Sequence, residues 1–282
     1  MIRPQESAGG GQPPFDPKSL LLQMERSLRK ITPGAVGESQ ECYYDAMEAR
    51  TEQEALGLLS RALELDPGNT DAWLLMMSHT PPLSADEEIG TLRKIVAGAE
   101  ERLGKQAFKD YAGHFWGYHE TRPYMRARAA LADALHRAGR IESAAGEVEG
   151  MLELNPGDNQ GLRYRLLAFY LAVGRMDDTR GLFARYPDEF DYNTVFAWSK
   201  VLERFLSGKP EEALEELAVA LKQNAFTKAY LLGHRKLPKN PPDSYAPGSK
   251  EEAACFAGDL QLAWNAHPTA KKWLANMNPK QR

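Results

Sequence analysis

The chain has 282 residues, of which 43% are hydrophobic and 26% charged, a composition ordinary for a soluble globular protein. Its formal net charge of −4 gives no global attraction to nucleic acid or anionic membrane, and no apolar run approaches the roughly 18 residues that a membrane helix requires. The two cysteines, Cys42 and Cys255, lie too far apart to suggest a disulfide framework or a zinc spacing.

Met1 to Lys18 is rich in Pro, Gly and Gln and has no apolar h-region, so no secretory signal is expected and the cytoplasm is the default compartment. Met1–Asp16 is expected to form a disordered tail, residues 17–112 a helical segment of diverged repeat-like units. Within that segment, Leu20, Leu21, Met24 and Leu28 recur at helical spacing from Pro17 to Lys30, ended by Thr32-Pro33-Gly34. Ala55, Leu59 and Ala62 then predict the second helix of a repeat-like pair. A helix from Thr70 to His79 carries Trp73, Leu74 and Met77 and breaks at Thr80-Pro81-Pro82. Ser84 with Glu87 reads as a capping box opening a helix through Ile89, Leu92, Ile95, Val96 and Leu103. Gly113 to Arg122 is an irregular turn crowded with His114, Phe115, Trp116, Tyr118 and His119.

From Arg122 to Asn224 three segments align: Ala138-Gly139-Arg140-Ile141-Glu142, Val173-Gly174-Arg175-Met176-Asp177 and Ser207-Gly208-Lys209-Pro210-Glu211. Their glycines are 35 and then 34 residues apart, the period of tetratricopeptide (TPR) helix–turn–helix units. With each glycine as position fifteen, Leu131, Ala132, Ala144, Val148, Met151 and Pro156 fall on the motif positions of the first repeat, Leu166, Leu167, Tyr170 and Phe183 on those of the second, and Ala213, Leu217 and Ala220 on those of the third. Thr179 is a looser fit at position twenty, and Lys200 stands where a leucine is expected. Residues 113–224 are therefore predicted to hold three TPR-like repeats. Residues 225–282 are expected to cap the exposed stacking face with a Pro-rich loop (Asn240 to Pro247), a helix opened by Ser249 and Glu252 that carries Cys255, Phe256, Leu260 and Trp264, and a last helix with Trp273 and Leu274. The predicted fold is all-α, a right-handed TPR solenoid with atypical capping helices.

Arg122-Pro123-Tyr124-Met125-Arg126-Ala127-Arg128, opening a repeat with Ala138-Gly139-Arg140, resembles the suppressor-of-tumorigenicity-seven family. So do Lys228-Ala229-Tyr230-Leu231-Leu232, Leu237-Pro238, Gly248-Ser249-Lys250-Glu251-Glu252-Ala253 and Ala263-Trp264. Asn155-Pro156-Gly157-Asp158-Asn159-Gln160-Gly161 resembles related bacterial TPR proteins. The similarity spans roughly residues 115–275. The animal members' membrane segments have no counterpart here, and the resemblance implies no enzymatic activity.

In TPR arrays the first helices of the repeats line a concave groove through positions two, five, nine and twelve. Those positions nominate Arg126, Asp133 and His136 in the first repeat, Tyr164 and Leu171 in the second, and Trp198 and Phe205 in the third. A surface grading from basic to aromatic suits an extended or helical peptide, because Arg holds carboxylates bidentately and Tyr and Trp serve as anchors. The Lys and Asn clamp for chaperone tails is missing, since Ala129, Asp133, Tyr164 and Ala168 occupy those positions. The bland alternative is that Trp198 and Phe205 pack against the C-terminal cap. Two further readings are weaker. His114, His119 and Glu120 could serve an accessory subunit to catalysis or a metal-assisted hydrolase, though their spacing is not that of HExxH. Arg122, Arg126, Arg128, Arg163 and Arg165, with Tyr124 and Tyr164, could bind single-stranded RNA. The leading expectation is a non-enzymatic adaptor for a protein or peptide partner, with no catalytic residue, metal or cofactor, and with no nucleic-acid partner expected.

Overall fold

A computed structural model describes residues 34–81 and 83–277. The expected tail Met1–Asp16 and helix Pro17–Lys30 lie outside the described residues. Among the described residues there are thirteen α-helices and no strand. The chain divides into two compact units, 1–82 and 83–282, each with its own packing.

The first unit holds α1 (Ala35–Met47), α2 (Glu52–Leu65) and α3 (Thr70–His79). Thr51 and Asn69 cap α2 and α3 by accepting the Glu54 and Ala72 amides, so two of the orphan N–H groups at those helix starts are satisfied. Ala46, Leu59, Ala62 and Ala72 form its core. The small Ala62 lets α1 approach so closely that the buried Ser39 hydroxyl donates to the Ala62 carbonyl at 2.7 Å, and Asn69 donates to Ser39 at 2.9 Å.

The second unit opens with α4 (Ala85–Asp110), and both halves of the Ser84–Glu87 capping box are present. Gly104 interrupts α4 at φ 68°, a conformation that a side chain rarely tolerates. α4 turns its apolar side to the helix that follows, α5 (Arg122–Arg137), burying Ile89, Leu92 and Ala99. Arg137 donates to Glu88 at 2.6 Å and Arg140 pairs with Asp86 along the same contact.

Three helix pairs follow: α5 with α6 (Ile141–Leu154), α7 (Leu162–Val173) with α8 (Met176–Arg185), and α9 (Thr194–Leu206) with α10 (Pro210–Gln223). Their turns are superimposable in chemistry. Gly139, Gly174 and Gly208 take φ 73°, 78° and 74°. The basic residue after each glycine then donates its amide five residues back, Arg140 to Leu135, Arg175 to Tyr170 and Lys209 to Arg204, at 2.9, 2.9 and 3.1 Å. This Schellman-type closure satisfies a last-turn carbonyl and reverses the chain into the second helix. The same closure in three successive pairs, with matching motif positions buried, makes this unit a tetratricopeptide-type solenoid.

The helix crossings explain the two residues that fit the motif poorly. Ala144, Thr179 and Ala213 occupy the small position and are fully buried. Thr179 is accepted there because its hydroxyl donates to the Arg175 carbonyl at 2.9 Å, leaving only a methyl against the neighbouring helix. Lys200 reaches Glu216 at 2.8 Å and lies over the Phe190 ring at 4.8 Å, so its stem packs and its charge is paired. Ala144→Leu is expected to overpack its crossing and lower stability by roughly 1–3 kcal/mol, read from the urea midpoint at unchanged m-value.

The C-terminal segment contains α11 (Thr227–Leu231), α12 (Lys250–Asn265) and α13 (Pro268–Asn276). It does not stack on the last pair as the next unit would. Instead α12 packs along α7 and α9, with α11 on its other side. Tyr230 and three alanines of α12, Ala253, Ala254 and Ala257, form that second contact. Asn224 fixes the return by donating to the Ser249 carbonyl at 2.9 Å and to the buried Glu252 carboxylate at 2.8 Å.

Candidate functional site

The first helices of the three pairs, α5, α7 and α9, carry positions two, five, nine and twelve on one face. α12 covers most of that face. On α7, the Tyr164 ring meets Phe256 of α12 at 5.6 Å and Phe196 of α9 at 6.1 Å, edge-on in both cases. Ala168 and Leu171 are fully buried, and the Leu171 carbonyl stands 2.7 Å from Nε2 of His267. On α9, Val195, Trp198 and Leu202 are inaccessible to solvent. Trp198 meets Trp264 of α12 edge-on at 6.4 Å, and Phe205 meets Trp273 of α13 at 5.0 Å.

The nominated residues of the second and third repeats, Tyr164, Leu171, Trp198 and Phe205, therefore do share one surface. Its occupant is the chain's own C-terminal segment. An apolar surface of that width cannot stay in water without cost, and the nearest amphipathic helix covers it. The α5 end is more open: Arg126, Ala129, Asp133 and His136 are all half-exposed.

At the junction of α5, α7 and α12, Arg165 pairs with Asp133 and stands 3.8 Å from Asp259 of α12. Burial pushes the Asp259 carboxyl above the usual range, with Asp133 adding to the rise while Arg165 and His136 oppose it. Burial also lowers His136, helped by Arg165 and Arg137 and opposed by Asp259 and Asp133; its ring lies edge-on to Phe169 at 5.3 Å. The two shifts act in opposite directions on stability. For His136 the unfolded chain takes the proton first, so its contribution is present above about pH 6.5 and is lost as pH falls through the lower folded value. For Asp259 the folded chain takes the proton first, so its penalty grows as pH rises from about 3.9 through the raised folded value. Denaturation of His136→Gln at about pH 7 and about pH 5 should accordingly show a smaller loss on acidification than the parent shows.

Behind this face lies a polar tie that sequence reasoning missed. Asp158, at φ 46°, accepts the Leu162 and Arg163 amides at 2.7 and 2.9 Å and the Arg163 guanidinium at 2.8 Å. Arg163 also binds Glu189 at 2.7 Å, lies 4.5 Å from the Tyr164 ring centre and donates to the Tyr164 hydroxyl. That hydroxyl in turn donates to Glu189 at 3.0 Å. Burial, the leading cause, and the Glu189 carboxylate both drive the Tyr164 hydroxyl well above its ordinary pKa, so Tyr164 stays neutral and fixed. The αL-tolerant Asp158 just before a helix was the available sequence signal for the cap. Glu189, 26 residues away from Arg163 in sequence, carried none.

The two weaker sets of candidates are placed differently. Glu120 accepts the Tyr111 hydroxyl at 2.8 Å, His114 is exposed, and Phe115 is buried beneath the turn. Among the described residues, no three or more His, Cys, Asp and Glu side chains stand together to hold a metal ion. In the basic set, Arg128 binds Glu147 at 2.8 Å, Arg163 holds Asp158 and Glu189, and Arg165 holds Asp133. Those three guanidinium groups spend their charge within the fold.

No family model matches the sequence and no curated protein matches it, so the resemblance to the suppressor-of-tumorigenicity-seven family gains no support. Among solved structures, the chain is similar to YrrB, a TPR protein with an unusual peptide-binding site, at TM-score 0.44 and 16% identity over 70% of this chain and 90% of that chain. It is similar to MamA at TM-score 0.44 and 17% identity, over 73% of this chain and 100% of that chain. The helix pairing and turn geometry above carry the architecture, and likenesses of this size add nothing to it. Among the described residues no helix is long and apolar enough to cross a membrane.

Proposed function

We propose that the protein is a non-enzymatic scaffold that receives a partner polypeptide on the face shared by α5, α7 and α9. The observation that carries this reading is α12 itself: the motif positions of two repeats already hold a helix by shape, aromatic edges and one ion pair. Such helix-in-groove recognition needs a row of anchors at helical spacing, and this face offers one. Arg126, Asp133 and His136, on the open α5 end, supply charged and hydrogen-bonding groups beside it. We place this activity in the cytoplasm, where the two free cysteines would stay reduced.

The test is affinity capture from native lysate with the parent, Ala129→Glu and Tyr164→Glu. Ala129 is half-exposed on α5 and makes no polar bond of its own side chain, so a glutamate there blocks the open end without breaking a tie. A stoichiometric partner held by the parent and lost by Ala129→Glu at unchanged circular dichroism supports the reading. A partner indifferent to both substitutions places binding elsewhere.

A further inference from the structure

α12 occupies the ligand face in a way that differs from an ordinary core helix. Its inward stripe is Phe256, Leu260 and Trp264, two steps of four residues that keep one side of a helix against α7 and α9, and His267, just past its end, meets the Leu171 carbonyl. The shape fit is complete, since Leu260, Ala263 and Trp264 are at most 1% exposed. The polar fit is not. The indole N–H groups of Trp198 and Trp264 are both buried in this contact, and neither has a hydrogen-bond partner. The Asp259 carboxylate reaches Arg165 only at 3.8 Å, because Arg165 already holds Asp133 closely. Buried donors left in this state lose their hydration without recovering it.

The tether is also permissive. Residues 232–249 join α11 to α12 without a helix, and Leu237 and Tyr245 of this stretch are 42% and 46% exposed. It meets the body of α12 through the Tyr245 ring against Phe256 and a long Cys255 Sγ contact with the Pro242 carbonyl at 3.4 Å, while at the start of α12 Gly248 donates to Glu252 at 2.7 Å and Ser249 accepts the Glu252 amide at 3.0 Å. At about 3.3–3.6 Å per residue, an extended strand of that length lets α12 leave without unwinding α9 or α10.

We infer that α12 is a displaceable ligand of the α7–α9 face, held in cis, and that the partner this face takes is a helix with the same order of groups. That order is an aromatic, an acidic residue three positions on, a leucine next to it, and a tryptophan four positions further, as in Phe256, Asp259, Leu260 and Trp264. A partner helix that adds an acceptor for the Trp198 indole outcompetes α12, while the Trp264 indole of the released helix regains water. The inference rests on the scaffold reading of this face, but its test does not need the external partner.

Native-state hydrogen exchange on the intact chain is the first arm. Amides of α12 and α13 should exchange through a partial opening at lower urea than those of α7 and α9. In the second arm a protease site is inserted between Pro242 and Asp243 of the full chain, which is cut and mixed with a fluorescein-labelled peptide of residues 248–277. The cut chain should take up the peptide and the uncut chain should not, and a Trp264→Ala peptide should compete about thirtyfold less well. Common protection of α12, α7 and α9 overturns the inference. So does a cut chain that takes up none of the peptide, or equal uptake by cut and uncut chains. If α12 opens while Ala129→Glu loses no partner, the scaffold reading fails and the releasable helix stands.

Discussion

Trp198→Ala is expected to lower stability by about 3–5 kcal/mol, among the largest effects available to a single substitution in this chain. The indole is inaccessible to solvent, is crossed by Trp264, and sits where α9 supports α12. Since its N–H group has no partner, the loss comes from the cavity and from lost aromatic contact rather than from a broken hydrogen bond. Trp198→Phe should therefore recover much of it. A double-mutant cycle with Trp264→Ala should show a coupling of about 0.5–1.5 kcal/mol beyond burial, the usual worth of an edge-on aromatic pair. Urea unfolding followed by both tryptophan fluorescence and circular dichroism gives these values. If α12 leaves before the repeats unfold, the two probes will separate, fluorescence first.

Asp158→Ala should cost about 3–5 kcal/mol as well, for a different reason. Its side chain is fully buried and holds the 16%-exposed Arg163, while Glu189, 5% exposed, completes the pair. Removing Asp158 leaves two backbone amides at the start of α7 unsatisfied and one buried cation with a single carboxylate. It also puts alanine in a left-handed conformation that aspartate tolerates better. Asp158→Asn keeps the conformation and one acceptor but loses the charge, so its smaller loss, by the same denaturation measurement, separates the ion pair from the cap. Because Arg163 also orients the Tyr164 hydroxyl, Asp158→Ala should disturb the contact between α7 and α12 from behind.

The legible part of this protein was its local repeat grammar. Gly139, Gly174 and Gly208 could be read as left-handed helix stops because few other residues are stable there, and the apolar and small positions counted from them are the buried ones. Thr179 and Lys200 looked like misfits because the motif describes packing alone. Their hydroxyl and ammonium groups are satisfied by partners that only the assembled helices supply. The Arg163 tie was invisible for a related reason: an arginine with two tyrosines nearby reads equally well as a binding patch or as an internal pair.

What the sequence determined by itself, then, was the set of helices from 122 to 224 and their turns. A 3.6-residue period with a glycine every repeat admits few other structures. What only the tertiary structure decided was what the face shared by α7 and α9 holds. The stripe Phe256–Leu260–Trp264 announces a helix with one side to bury, but hydrophobic burial has no direction of its own and names no particular surface. The choice of α7 and α9 over the end of the solenoid came from shape, from the Trp198–Trp264 crossing, and from a tether long enough to turn back.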